Sequence, residues 1–139
     1  KTYSNGLLEQ NWLDGQRHGI QRRWISNNTL LYEENYINGL QHGVQLYWYD
    51  GGVLFTKCNY AYGQKHGIEY NWYKNNQLMG EENYKYGLRH GVERSWYENG
   101  QLMYEHNHTY GKELGVQRGW HKNGQLEYDK IIYDGVEQN

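Results

Sequence analysis

The sequence predicts an all-β fold: an elongated, single-layer antiparallel β-meander built from tandem 24-residue β-hairpin repeats. Two kinds of residue recur at that interval, glycines in predicted turns and tryptophans in predicted strands, the latter at Trp24, Trp48, Trp72, Trp96 and Trp120. Self-similarity at a fixed period of this size is the signature of repeat architectures, in which each unit packs on its neighbours.

The composition suits a thin sheet with both faces near water. The chain has 16 Tyr and 6 Trp against a single Phe. Tyrosine and tryptophan can bury a ring while their polar tip stays in water. Glycine is abundant at 18 residues and proline is absent, which permits many turns and uninterrupted strand ladders.

Several further columns align on the tryptophans, so residues 1–139 are interpreted as one tandem-repeat domain of about five units plus a partial sixth. A His-Gly pair recurs at 18–19, 42–43, 66–67 and 90–91, and becomes Leu114-Gly115 in the fifth unit. The remaining columns are Asn11, Asn35, Asn59, Asn83 and Asn107; Gly15, Gly39, Gly63, Gly87, Gly111 and Gly135; and Leu30, Leu54, Leu78, Leu102 and Leu126.

Each unit is predicted to contain two strands and two turns. In the fourth unit a three-residue turn, Glu98-Asn99-Gly100, follows Trp96, and Lys85-Tyr86-Gly87 forms the other turn. A three-residue hairpin loop of this kind is a type I turn with a G1 bulge, whose last residue is left-handed. Glycine and asparagine adopt that conformation most easily, and the column holds Gly52, Gly100, Gly124, Asn28 and Asn76.

This turn fixes an expected register in which Trp96 faces Leu102 and Arg94 faces Tyr104. The same register places Tyr70 opposite Gly80. It also sets two pairs of glutamates against each other, and we expect their exposed side chains to splay into water. The pairs that it predicts in other units are Arg22–Tyr32, Arg118–Tyr128, Leu46–Thr56, Glu69–Glu81 and Glu93–Glu105.

One face of the predicted sheet therefore carries the Trp, Leu, Tyr, Val or Ile, and His columns, and the other carries Gln or Glu and Asn. A single sheet cannot bury its more aromatic face without a second layer packed against it. A large exposed aromatic patch usually marks an interaction site. The unpaired edge strands offer a second route to association. The predicted partner-binding residues are Trp24, Trp48, Trp72, Trp96, Trp120, Tyr36, Tyr60 and Tyr84.

The charge and the cysteine count exclude several classes of function. A formal net charge of −2 creates no field that favours nucleic acid or an anionic membrane. No apolar run approaches the roughly 18 residues that a membrane-spanning helix needs, so no integral membrane segment is expected. Cys58 is the only cysteine, which excludes an internal disulfide and favours an intracellular protein.

No catalytic, metal or cofactor site is expected. The recurring histidines His18, His42, His66 and His90 lie two strands apart, about 10 Å per step, whereas zinc ligands sit about 2 Å from the ion. We therefore expect them to pack against tyrosine. His106 and His108 are expected to point to opposite faces. The sequence shows no Ser-His-Asp arrangement, phosphate-binding loop or Cys-His site.

The segment from Tyr84 to Gly91, continued by Trp96-Tyr97-Glu98-Asn99-Gly100-Gln101-Leu102, resembles the MORN repeat. It is most similar to the "ENGQL" variant of bacterial proteins, some described as antitoxins, and of large DNA viruses. The resemblance extends from Tyr3 to Val136. It implies an elongated, often self-associating scaffold, whose repeat-defining positions here are Gly39, Gly63, Gly87, Gly111, His42, His66 and His90.

Three functions remain open at this point. The first is a non-enzymatic scaffold that acts through protein–protein contact or self-association, for example as a structural component of a virus or bacterium. The second is an antitoxin-like inhibitor of a specific partner protein. The third is a peripheral lipid or carbohydrate binder that uses the Tyr/Trp ladder. The expected location is intracellular (cytoplasmic) or virion-associated.

Overall fold

The computed structural model describes residues 6–25, 28–133 and 136–138, the last of these by its backbone alone. The expected start of the repeats at Tyr3 and the expected turn at Gly135 lie outside the described residues. Within them the chain forms strands and turns without a helix. The strands are β1 (Leu8–Glu9), β2 (Trp12–Leu13), β3 (Gln16–Arg17), β4 (Gly19–Trp24), β5 (Leu30–Ile37), β6 (Leu40–Gln41), β7 (Gly43–Trp48), β8 (Leu54–Ala61), β9 (Gln64–Lys65), β10 (Gly67–Trp72), β11 (Leu78–Lys85), β12 (Leu88–Arg89), β13 (Gly91–Trp96), β14 (Leu102–Thr109), β15 (Lys112–Trp120), β16 (Leu126–Tyr133) and β17 (Val136–Gln138).

The strands build an antiparallel meander, which confirms the predicted fold class. Within the described residues, one 15-stranded sheet runs in the order β1-β4-β5-β7-β8-β10-β11-β13-β14-β15-β16-β17. The two-residue strands β6, β9 and β12 pair with the long strands that precede them, and β2 pairs with β3 in a separate hairpin. Neighbours in the sheet are therefore neighbours along the chain, so each unit contacts mainly the units on either side.

The three-residue turns form as predicted. The amide of Gly100 donates to the Tyr97 carbonyl at 2.9 Å, and the amide of Tyr97 donates to the Gln101 carbonyl at 2.9 Å. Gly100 has a φ of 84° and its counterpart Asn76 has a φ of 67°. Both angles are left-handed, as a G1 bulge requires.

The second turn of each unit is a two-residue hairpin with both residues at positive φ, as in a type I′ turn. Glycine fills the second position. The first position is occupied by Asp14, Asn38, Tyr62, Tyr86 and Tyr110, with φ between 46° and 52°.

A β-bulge makes the predicted register wrong by one residue. Trp96 does pair with Leu102, but Ser95 pairs with Tyr104 and Arg94 with Glu105, so Met103 is an extra residue on β14. The same shift occurs beside Trp24, Trp48, Trp72 and Trp120. The expected Arg–Tyr, Tyr70–Gly80, Leu46–Thr56 and Glu–Glu pairs are therefore not formed; Glu69 lies opposite Glu82 and Glu93 opposite His106.

A one-residue shift moves every later side chain to the other face, so the predicted composition of the two faces is also wrong. We define the outer face by the Trp, Leu and Val or Ile columns. There Arg22 and Arg94 donate to Glu33 and Glu105, both at 2.7 Å. We define the inner face by the Gln or Glu column together with Tyr36, Tyr60 and Tyr84.

The inner face is the more buried of the two, and its core is polar. Gln45 and Gln117 are 0% exposed, Gln21 is 2% exposed, and the glutamates of the same column, Glu69 and Glu93, are 9% and 6% exposed. The expectation that these glutamates extend into water is therefore wrong.

The buried glutamines fill gaps in the strand ladder. The side-chain oxygen of Gln45 accepts from the Asn35 amide at 2.8 Å, and its side-chain nitrogen donates to the Asn35 carbonyl at 3.0 Å. Gln21 and Gln117 make the same two contacts with Asn11 and Asn107. Each side-chain amide thus pairs with a backbone N–H at this gap in the ladder and donates a second hydrogen bond to the carbonyl of the same residue. The Asn35 carbonyl, for example, also accepts from the His42 amide at 2.9 Å.

Candidate functional site

The row of two-residue turns along one long side of the sheet, which we call the hairpin edge, is the first candidate site. It carries three tyrosines, Tyr62, Tyr86 and Tyr110, which are 67%, 63% and 49% exposed. Because each repeat adds two strands, successive tyrosines are spaced about 10 Å apart. The edge therefore presents a regular row of exposed aromatic side chains.

These tyrosines occupy a costly backbone conformation. A left-handed φ costs a bulky L-residue about 1–2 kcal/mol, and Tyr86 has a φ of 52°. The first two units have Asp14 and Asn38 at the same position, and these residue types tolerate that conformation better. Three consecutive units thus retain a side chain that the turn itself does not favour.

The predicted packing against tyrosine is confirmed for His42, His66 and His90. The fourth recurring histidine, His18, contacts the Asn38 side chain instead. The rings of His42 and Tyr62 are 4.6 Å apart, and those of His90 and Tyr110 are 4.4 Å apart. The amide of Tyr62 also donates to the Nδ1 atom of His42 at 3.3 Å. Each histidine therefore holds the turn of the following unit, which offsets part of the backbone strain.

A lysine joins two members of the row. The ammonium of Lys85 lies 5.9 Å from the ring centroid of Tyr86 and 5.7 Å from that of Tyr110. A cation over an aromatic face contributes about 0.5–1 kcal/mol at an exposed site. The hairpin edge thus combines aromatic rings with positive charge.

The inner face contains a second candidate site. One row of cross-strand partners crosses the whole sheet, with Tyr32 and Tyr47 towards one end and Tyr104 and Tyr128 towards the other. Its four central members are small, and we call them the inner trough: Thr56, Asn71, Gly80 and Ser95. Tyr47 and Tyr104 stand at its two ends.

Carboxylates line one side of the inner trough. Glu69 is paired with the Lys65 ammonium. Glu82 accepts from Arg89 at 3.0 Å, and Glu93 lies 3.7 Å from Arg89. Glu93 also accepts from the Tyr104 hydroxyl at 2.9 Å.

Burial keeps several inner-face groups in their protonated form. Burial and the neighbouring Glu93 carboxylate raise the pKa of Tyr104 to about 12. Burial raises the pKa of the Cys58 thiol to about 11, with a further contribution from Glu69. Burial also raises the pKa of Tyr47, which donates to Glu34 at 2.7 Å. These groups therefore stay neutral near neutral pH, and the two tyrosines donate hydrogen bonds to carboxylates.

His106 and His108 share the inner face, so the expectation that they point to opposite faces is wrong, because strand residues two apart lie on one side. His106 contacts the Tyr128 hydroxyl at 2.6 Å, and His108 lies 3.6 Å from Glu93. Within the described part of the chain, no group of three or more His, Cys, Asp or Glu side chains could hold a metal ion.

The structure does not bring the predicted partner-binding residues together. The five tryptophans are half-buried on the outer face, whereas Tyr36, Tyr60 and Tyr84 are half-buried on the inner face. Tyr133 is exposed, and so are the recurring tyrosines Tyr62, Tyr86 and Tyr110. Their recurrence directly before glycine at the 24-residue interval was a signal in the sequence.

No helix among the described residues is long and apolar enough to cross a membrane.

Comparisons with known proteins identify the repeat. A family model described as "MORN repeat variant" matches residues 17–38, 41–62, 65–86 and 89–109. No curated protein matches the chain.

Two similar solved structures are a mutant of TarM from S. aureus in complex with Fondaparinux, alpha-GlcNAc-glycerol and UDP, and a crystal structure of TarM. They are 15% and 14% identical to this chain, each with a TM-score of 0.44. The match covers 80% of this chain and 21% of each of theirs.

Proposed function

This chain belongs to the MORN repeat variant family, and on that premise we propose that it is a non-enzymatic scaffold that binds a protein along its hairpin edge. One observation carries the proposal: three consecutive units hold an exposed tyrosine in a left-handed turn. Backbone strain that the surrounding structure maintains is a pointer to function. Tyrosine is also among the residues that contribute most to protein interfaces.

The regular spacing suits binding along an extended surface. Repeat proteins typically engage a partner through equivalent positions on successive units. Here Tyr62, Tyr86 and Tyr110 supply three such contacts, and the histidine behind each tyrosine reduces the freedom that binding would remove. The partner is either a foreign protein or a second copy of this chain.

The test is a triple variant, Tyr62→Asn, Tyr86→Asn and Tyr110→Asn. Asparagine is the residue of the second unit at this position, Asn38, so the turns remain compatible with their backbone. We expect unchanged or increased resistance to urea, and at least a tenfold loss of partner captured from the native source. Light scattering over a concentration series of the purified protein distinguishes self-association from binding of a foreign protein.

The matched control is Tyr70→Arg on the outer face. The same column holds Arg22, Arg94 and Arg118 in other units, so the control removes one tyrosine without introducing a foreign residue type. It should retain both partner capture and the mass of the wild-type protein. If the triple variant folds and still captures the same protein at wild-type level, the hairpin edge is not the binding surface.

A further inference from the structure

The inner trough has a hydrogen-bonding floor. The Thr56 hydroxyl donates to the Asn71 side-chain oxygen at 2.7 Å, and the Ser95 hydroxyl donates to the Met79 carbonyl at 3.1 Å. Gly80 contributes no side chain between them. Three of these four neighbouring strands therefore present a hydroxyl or amide side chain, over a length of about 14 Å.

One end of the trough opens into a cavity of about 330 Å³. This size is within the range of small-molecule sites, which combine aromatic walls with a few oriented polar groups. The cavity has three aromatic walls, Tyr47, Phe55 and Tyr60, and its polar groups include those of Thr56, Lys65 and Glu69.

The charge of the trough selects against anionic ligands. Glu69, Glu82 and Glu93 line it, and the cations in contact with these three carboxylates are Lys65 and Arg89. Since both cations are already engaged by carboxylates, a phosphate or sulfate would meet uncompensated negative charge. Nucleic acids and acidic polymers are therefore poor occupants.

The geometry of the trough also selects against a peptide. An extended peptide binds a sheet through its unpaired edge, whereas the trough crosses the strands on a face whose backbone groups are paired within the sheet. An amphipathic helix binds an apolar groove, but hydroxyl, amide and carboxylate groups dominate this floor. Polar contacts to a face of this kind must come from a ligand rich in both donors and acceptors.

We propose that the inner trough is a binding site for a neutral oligosaccharide, distinct from the protein-binding hairpin edge. Sugar hydroxyls donate to carboxylates such as Glu69 and accept from donors such as Lys65. The apolar C–H face of a pyranose ring can lie against an aromatic ring such as Tyr47. The Tyr47 end holds one sugar ring in the cavity, and the following rings lie along Thr56 to Ser95.

Filling the trough provides the test. In Gly80→Tyr the new side chain occupies the floor, and Tyr32, Tyr104 and Tyr128 already hold the equivalent column in other units. An added Cβ at residue 80 would approach only the Arg94 carbonyl oxygen, at an ordinary 3.7 Å. The variant is therefore expected to fold. The control Leu46→Tyr adds the same ring on the outer face, where the third unit has Tyr70.

The probes are cellohexaose, xylohexaose, maltohexaose and N-acetylchitohexaose, with hexagalacturonate as the anionic comparison, measured by titration calorimetry. We expect at least one neutral hexasaccharide to bind more tightly than hexagalacturonate. Gly80→Tyr should weaken that binding at least tenfold, whereas Leu46→Tyr should leave it unchanged.

Three results would overturn the proposal: no binding by any neutral probe, tighter binding of the anionic one, or unchanged affinity in Gly80→Tyr. The triple hairpin-edge variant should retain sugar binding. Failure of this inference and failure of the proposed protein-binding function are therefore separate outcomes.

Discussion

At the scale of single residues, the sheet depends on side chains that replace backbone groups. Gln45 carries the same amide as a peptide bond, so it can accept from the Asn35 amide and donate to the Asn35 carbonyl. A glutamate cannot make the second bond. Where the column has Glu69, the residue four positions earlier is Lys65, and where it has Glu93, that residue is Arg89.

This relation predicts the effect of Gln45→Glu. The change removes the side-chain hydrogen bond to the Asn35 carbonyl and introduces a charge at a fully buried position, so we expect the free energy of unfolding to fall by about 1–3 kcal/mol. Urea denaturation of the wild type and the variant measures this difference in the free energy of unfolding. The double variant Gln41→Lys with Gln45→Glu recreates the Lys65–Glu69 arrangement and should recover part of the loss. A single variant as stable as wild type would contradict the role assigned to Gln45.

The sequence shows this column but not its environment. Gln21, Gln45, Glu69, Glu93 and Gln117 recur every 24 residues, and polar residues at regular strand positions indicate a solvent-facing side. That interpretation fails because this thin sheet buries its polar inner face. Burial of these glutamines is favourable because their side chains hydrogen-bond to the backbone of the neighbouring strand, as Gln45 does to Asn35. No local sequence pattern reveals those bonds.

At the scale of elements, the turns were predictable and the bulge was not. Gly100 and Asn76 mark left-handed positions because few other residues adopt that conformation easily. The extra residue on each long strand, Met103 in the fourth unit, has no such mark, since its column also contains leucine, phenylalanine and glutamate. That one residue is enough to exchange the faces on which the tyrosine columns lie.

The turn argument predicts different results for two glycine-to-alanine changes. Gly100 has a φ of 84°, and an added Cβ would meet the Gln77 side-chain oxygen at 3.2 Å. Gly100→Ala should therefore lower stability by about 1–2 kcal/mol. Gly51 lies at a turn without positive φ and has open space around it, so Gly51→Ala should be neutral or slightly stabilising. Equal thermal midpoints for both variants would refute the predicted strain.

At the scale of the whole molecule, hydroxyl groups tie successive repeats together. The Tyr49, Tyr73 and Tyr97 hydroxyls donate to the backbone carbonyls of Trp72, Trp96 and Trp120 in the following unit, at 2.9, 2.8 and 3.1 Å. On the inner face, the Tyr104 hydroxyl donates to Glu93. The sheet therefore depends on protonated tyrosines throughout its length.

This dependence predicts loss of stability at high pH. The pKa of Tyr104 is raised from 10.0 to about 12 in the folded protein, first by burial and then by Glu93. A raised pKa contributes stability that is present below the unfolded value and lost as the pH rises through the folded value. The resistance of the protein to unfolding by urea should therefore decrease between pH 10 and about 12. Tyr104→Phe should reduce this dependence, and Tyr110→Phe, on the exposed hairpin edge, serves as the control.

The number of repeats and the antiparallel order of the strands follow from the sequence, because a 24-residue period with two turns leaves room for two short, consecutive strands per unit. The surface that binds a partner does not follow in the same way. Tyr62 and Tyr36 are both recurrent tyrosines, but one is exposed at a turn and the other half-buried on the inner face. Only the register and the turn geometry separate their roles.

The most direct test of the proposed scaffold function is site-specific photocrosslinking in the native source. A photoreactive phenylalanine is placed at Tyr86 on the hairpin edge, at Leu46 on the outer face, or at Thr56 in the inner trough. We predict that position 86 forms a protein crosslink and that positions 46 and 56 do not. Crosslinks from position 46 or 56, with none from position 86, would contradict the hairpin edge as the protein-binding surface.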